Sequence, residues 1–441
     1  MQARFLNLWY TIRASYWIIP SIMAIGAVFF SFIMIGVDNF VGDDLLQQIP
    51  LLYVSDVDGE RAVLSTIAGS MMTITSIVYS LTMVALTLAS QQFGPRLLGN
   101  FMRDRSNQVV LGTFISTFIY SLLVLRSVSD REDNSFVPQI SVLTAVLLAL
   151  LSLFILIYFI NHIAESIRVS NVITSTADEL QRAIERLFPE KIGASPQDVD
   201  RQTVPEDELK TTEFAINATG SNYLQAIDDE DLIEMATEHD LQIHLSVKPG
   251  DFVIADTALM QVNRVLNNED DLIDELRELY VFGKQRTVTQ DVTFLFDQLL
   301  EIALRALSPG INDPNTAIAC LHRITAALCD IAQRKIPSPY RYDEAGALRV
   351  VAQEQIDLPF LVTHIGTSIR AYAGSDVTVL IAFLELLAHV AIFTDNPQAI
   401  QALQQQIQSV IDMIQVTIPD NYDRNRLKTH IRQIQADLRV Q

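Results

Sequence analysis

Four stretches of the chain carry no charged residue and are apolar almost throughout: about 17–37, 63–89, 109–125 and 138–160. A helix needs about 20 residues to cross about 30 Å of hydrocarbon, and a soluble helix of that length would show a charged face. The pattern therefore predicts four transmembrane helices in a domain over residues 1–165. Tyr10, Tyr16 and Trp17 stand where an aromatic belt would anchor the first span. Arg4 and Arg13 precede it as they would in a signal peptide, but the apolar run is too long and no small-x-small site follows Val37. It reads as a retained anchor.

After residue 160 the pattern changes. The fourth span is expected to continue as a helix to about Leu187, and Pro189, Gly193, Pro196 and Pro205 then punctuate a polar linker, giving a helical extension and linker over 166–212. Residues 213–268 form a small α+β module. Asp228 can cap a helix, Leu241, Ile243, Leu245 and Val247 alternate with polar positions, and Pro249-Gly250 turns the chain toward Phe252, Val253 and Ile254, a predicted hairpin. From 269 to 441 the pattern is helical. One helix covers about 291–307, and the next opens with Asp313 as N-cap and Pro314 in the first turn. Residues 379–393 are very apolar but short, and they contain Glu385 and His389, so they predict a buried core helix with those two side chains hydrogen-bonded. Ile400, Leu403, Ile407, Val410 and Ile414, then Leu427, Ile431, Ile434 and Leu438, are spaced as bundle or subunit faces. The fold class is integral membrane and predominantly α-helical, with a cytoplasmic α+β module and a helical domain.

Charge sharpens this division. The 441 residues hold 52 acids and 31 bases, a net charge of −21, yet residues 1–162 contain 10 acids and 8 bases, leaving 42 and 23 for the remainder. A surface this acidic repels phosphate backbones and excludes nucleic acid as a partner. Cys320 and Cys329 have no metal or redox spacing, which fits a reducing compartment. Arg4 and Arg13, with Arg96, Arg103 and Arg105 after the second span, outweigh Arg61, Arg126 and Arg131, which sit among nine acids in the other loops. That bias places both termini in the cytoplasm.

The second span is the chemically unusual one. It holds ten Ser or Thr residues between 63 and 90, and Thr66, Ser70, Thr73, Ser80 and Thr87 fall on one helical stripe. Such a stripe suits a hydroxyl-lined path, because hydroxyls replace part of an ion's hydration shell. It equally suits close helix packing, with Ser65, Gly69 and Thr73 as a small-xxx-small row. Thr113, Ser116, Thr117, Tyr120 and Ser121 repeat the theme more weakly in the third span. No ionisable residue lies in mid-span, which disfavours a proton-coupled pump. The connector after the second span breaks at Gly94-Pro95. It then sets Leu97, Leu98, Phe101 and Met102 against Arg96, Arg103 and Arg105, either as a surface anchor or as a coupling element.

Phosphate loops, nucleophile elbows and metalloprotease motifs are missing from the sequence, and no enzyme activity, cofactor or metal site is expected. Asp228, Asp229, Glu230 and Asp231 complement a helix N-terminus. His239 and His244 read as surface residues. Asn312 and Asp313 are interface candidates, although capping accounts for Asp313.

The segments QQFGPRLLGNFMRDRSNQVVLG, PGDFV and RALSPGINDPNTAIACL resemble a family of predicted bacterial inner-membrane proteins known only as a domain of unknown function. The resemblance covers essentially the whole chain and implies an integral membrane protein with a cytoplasmic C-terminal domain. It carries no activity, substrate or site residues. The functional expectation is an oligomeric channel-like protein in which several copies of the second span surround a hydroxyl-lined path, with membrane lipid, its own copies and small cations as partners. The alternative is a membrane-anchored binding or regulatory module without transport.

Overall fold

A computed structural model of the full chain describes residues 17–41, 57–94, 104–129, 138–189, 211–353, 356–374 and 376–440. It divides into two units, 8–168 and 169–441. Among the described residues, four helices are long and apolar enough to cross a membrane: α1 (Ile18–Val41), α2 (Val57–Phe93), α3 (Arg105–Ser127) and α4 (Gln139–Ser166).

The first unit is built around α3. Of its most apolar stretch 56% is buried, against 11% for α1 and α2, and it packs against all three other spans. Phe114, Tyr120 and Val124 are fully enclosed there. Gly112 permits the closest approach, since a Cβ at that position would lie 3.2 Å from the Pro20 Cα of α1. The outer faces of α1 and α4 expose Phe29, Phe32, Ile33, Phe154 and Ile157, as helices solvated by lipid tails must. Helix α2 has 37 residues, about 55 Å at 1.5 Å per residue, and so exceeds the hydrocarbon thickness. It ends at Gly94, whose φ of +99° suits the left-handed position after a helix, with its N–H donating to Ser90 O at 3.1 Å. The sequence expects one helix from the fourth span to Leu187. The structure instead ends α4 at Ser166 and restarts as α5 (Val169–Leu187).

The second unit combines two sheets with a helical bundle. In order, its elements are β1 (Phe214–Asn217), β2 (Asn222–Ile227), α6 (Asp229–Glu238), β3 (Ile243–Leu245), β4 (Phe252–Val253), β5 (Ala258–Val262), α7 (Asp270–Glu278) and β6 (Tyr280–Gly283). Then come α8 (Val292–Ala306), α9 (Pro314–Ala332), β7 (Tyr340–Tyr342), β8 (Leu348–Val351), α10 (Leu358–Ala373), α11 (Val377–Ile392), α12 (Pro397–Thr417) and α13 (Asn421–Val440). One sheet runs β1-β5-β3-β8-β7, with only β3 and β8 parallel, and the other runs β4-β2-β6.

The expected hairpin is not there. β3 pairs with β5 and β8, whereas β4 pairs with β2 in the other sheet. The turn is diverted because its own backbone bonds to β2: Gly250 N–H donates to Leu224 O at 2.8 Å, and Leu224 N–H donates to Asp251 O at 2.9 Å. Gly250 holds a φ of +100° and sits against the Asp291 carboxylate, where a Cβ would collide. Strands β6, β7 and β8 come from beyond residue 268, so the sheets and the helical part interleave along the chain.

The bundle core joins Leu295, Phe296 and Leu299 of α8 to Leu321, Ile324 and Leu328 of α9 and to Leu380, Phe383, Leu384 and Leu387 of α11, all nearly inaccessible. Each such side chain contributes about 1.5–3 kcal/mol of transfer free energy, which is why α11 is so apolar without spanning a membrane. Glu385 and His389 do not form the expected side-chain pair. His389 is exposed and its ring bonds the Glu385 backbone carbonyl, while the Glu385 carboxylate faces His430 of α13 at 3.4 Å.

Candidate functional site

The hydroxyl stripe lies on the outside of the first unit. Thr66, Ser70, Thr73, Ser80 and Thr87 are all exposed. The face α2 packs against its neighbours is made by Leu64, Ala68, Met71, Val78, Ala85 and Ala89. At about 100° per residue the two faces lie roughly 160° apart. The stripe therefore does not pack the spans of one chain together, and Gly69, in the middle of it, has no atom of the described residues within 4 Å of where a Cβ would be.

The local chemistry of the stripe is defined by its own helix. Thr66 donates to Ala62 O at 2.7 Å, Thr73 to Gly69 O at 3.0 Å and Thr87 to Met83 O at 2.8 Å. These bonds satisfy the only donor of each hydroxyl. What remains at the surface is an oxygen acceptor. The third span behaves oppositely. Thr113, Thr117, Tyr120 and Ser121 are buried, Thr117 meets Ser152 of α4 at 3.2 Å, and Tyr120 donates to Ser141 O at 3.1 Å. Its hydroxyls are packing groups.

The other predicted residues are dispersed. Arg96 and Arg103 lie outside the described residues, and Arg105 opens α3 with an exposed side chain. Asn312 takes a φ of +49° in the turn between α8 and α9, and Asp313 caps α9 by accepting from the Thr316 N–H at 3.2 Å and its hydroxyl at 2.6 Å. Those bonds hold the Asp313 carboxyl below the usual range. His239 is the C-cap of α6, and His244 is half-buried in β3, where burial lowers its pKa.

Two polar constellations are invisible to a reading of local patterns. At one end of the first unit, Asp104 caps α3 through Ser106 N–H and also meets His162 of α4 at 2.6 Å, with the His162 ring stacked on Tyr158. Beside it is a cavity of about 240 Å³ lined by Trp17, Tyr79, Thr82 and Asn107, among others. The Asn107 side-chain oxygen is buried without a hydrogen-bond partner among the described residues. In the second unit, Arg286 bonds Asp291 at 2.8 Å, Asp297 at 2.6 Å and Thr293 at 2.7 Å, and His364 meets the other Asp297 oxygen at 2.7 Å. Burial opposes the charge on Asp297, but the His364 and Arg286 bonds outweigh it and hold its pKa down. The Asp297 bond raises that of His364. The partners lie up to 67 positions apart, so only an i, i+5 Arg–Asp pair and a capping Asp were available to find them by. Among the described residues, no group of three His, Cys, Asp or Glu side chains could hold a metal ion.

Similar proteins are themselves uncharacterized. Uncharacterized proteins of Mycobacterium bovis (Mb1321c) and Mycobacterium tuberculosis (Rv1290c) are each 34% identical over 383 residues, spanning 85% of this chain and 72% of the relative. No solved structure matches. Residues 13–389 match the family described as predicted membrane protein (DUF2254). With four apolar helices long enough to cross a bilayer and a match over most of its length, the chain belongs to that family of predicted membrane proteins.

Proposed function

We propose that the protein is an oligomeric, channel-like membrane protein, with α2 of several copies surrounding a hydroxyl-lined path for small cations. The observation that carries this reading is the outward position of all five stripe residues, on the face of α2 that no span of the same chain covers. Back-bonded threonines present oxygen acceptors, which suit a cation rather than an anion. The strongly acidic second unit adds to this, since its field raises the local concentration of cations. In this reading the protein resides in a bacterial inner membrane with both termini cytoplasmic, and no catalytic step is involved.

The test is cation release from liposomes containing purified protein, alongside the oligomeric state in nanodiscs. The reading expects four or more copies and a flux that falls on the order of tenfold or more when Thr73 and Ser80 become Leu. A monomer, or a flux unaffected by those changes, overturns it. The alternative of a membrane-anchored binding module is favoured by a cavity in the second unit.

A further inference from the structure

A cavity of about 450 Å³ in the second unit carries a charge opposite to that of the domain around it. Leu232, Val247 and Val350 give it an apolar wall, and Arg186, Lys248 and Arg341 stand around that wall, with Asp229 as the one acidic residue lining it among the described residues. Among the described residues none of these three cations is in an ion pair. Arg186 donates to the carbonyls of Val288 and Thr289 at 2.9 and 3.0 Å, Arg341 donates to the carbonyls of Ser338 and Tyr340, and the Lys248 ammonium lies 5.8 Å from the Phe360 ring centre. Several other arginines of this unit are paired with carboxylates: Arg264 with Glu269, Arg334 with Asp330 and Arg349 with Asp343. Residues 163–441 hold 42 acids against 23 bases, so three bases that pair with no carboxylate among the described residues, at one apolar cavity, are a local inversion of the field.

We propose that this cavity binds a small organic anion with an apolar body, its carboxylate or phosphate head meeting Lys248, Arg341 and Arg186 and its body lying on Leu232, Val247 and Val350. The volume falls in the range of small-molecule sites, about 300–1,000 Å³, and an apolar lining with a few converging polar groups is their usual composition. The parts come from the end of α5, the start of α6, the turn after β3, and β7 and β8. A ligand there would bridge segments more than 150 positions apart. The site is independent of any path through the membrane.

Photolabelling of the full-length protein in phosphatidylcholine nanodiscs tests this, with benzophenone carboxylate as the anionic probe and unsubstituted benzophenone as the neutral one. The carboxylate probe should label saturably, on peptides containing Leu232 or Val350. The double change Lys248→Gln and Arg341→Gln should weaken its labelling about tenfold, as expected for lost charge-assisted contacts, while labelling by the neutral probe stays the same and reports an intact cavity. Arg186→Gln, on an exposed side chain, gives a smaller loss in a variant whose folding is not at risk. Protection in discs of phosphatidylglycerol would identify a lipid headgroup as the source of the anion, and equal labelling in both discs a free one. Labelling at other peptides, or equal affinity for both probes before and after the substitutions, overturns the proposal.

Discussion

Asp38 and Ser141 are joined by two hydrogen bonds across a separation of 103 residues. The Asp38 carboxylate accepts from the Ser141 backbone N–H at 3.0 Å and from its hydroxyl at 2.5 Å, and its other oxygen accepts from the Ile140 N–H at 2.8 Å. Helix α4 starts after Pro138, which offers no side-chain cap. A carboxylate on the last turns of α1 therefore caps α4 and satisfies N–H groups that lipid cannot. Replacing Asp38 by Ala should cost about 1–2 kcal/mol, the range of a lost helix cap. Thermal unfolding in detergent checks this, and Asp38→Asn should recover part of the loss.

The two glycines of the spans should respond oppositely. Gly112→Val places a side chain against Pro20 and Met23 of α1 and should destabilise the single chain by about 1–3 kcal/mol, as overpacking does. Gly69→Val meets nothing in the same chain and should leave monomer stability within about 0.5 kcal/mol. It should instead reduce the cation flux, because it narrows the path that this face is proposed to line. Unfolding midpoints in nanodiscs and cation release from liposomes, measured on both variants, separate the two effects.

The Arg286–Asp297–His364 cluster makes the second unit sensitive to pH in both directions. His364 has a raised pKa in the folded state, so its contribution is complete below the unfolded value of about 6.5 and is lost as pH rises through the folded one. Asp297 has a lowered pKa, so its contribution is present above about 3.9 and is lost as pH falls through the lower folded value. Melting of the full-length protein across pH should show both limbs. His364→Ala should flatten the alkaline one and also weaken the acid one, because the His364 hydrogen bond is the strongest of the contacts that hold the Asp297 pKa down.

The cysteines should be inert. Burial pushes the Cys320 thiol up to about 12 and Cys329 up to about 11, and both are free. A thiolate is the nucleophile, so iodoacetamide at neutral pH should leave Cys320 unmodified until denaturant is added. Mass spectrometry of the labelled peptides reads this directly.

How much of this was legible in the sequence depended on whether the signal was local. The spans, the Asp228 and Asp313 caps and the apolar α11 follow from runs and periodicities within a single element, and they stand in the structure close to where the pattern puts them. The Leu241–Ile254 segment shows where that logic stops. Its alternation marks two strands, but which strands they join is decided by Leu224 and Asp291, distant residues that hold the Gly250 turn. The five stripe residues were visible as a set because helical spacing is local. Their facing outward was not, since that depends on Gly112 drawing α1 onto α3 and on Leu64, Ala68 and Met71 claiming the opposite side of α2. The charge inversion at Arg186, Lys248 and Arg341 was hidden for the same reason, three bases scattered over 155 positions of an acidic background.

The central claim is that the outward hydroxyl face of α2 lines a cation path, and single-channel recording of the purified protein in planar bilayers tests it most directly. Unitary currents are expected whose reversal potential follows the cation gradient, and they should vanish when Thr73 and Ser80 are both changed to Leu. Silent bilayers with correctly folded protein, or currents that keep their size and selectivity after both substitutions, would contradict it.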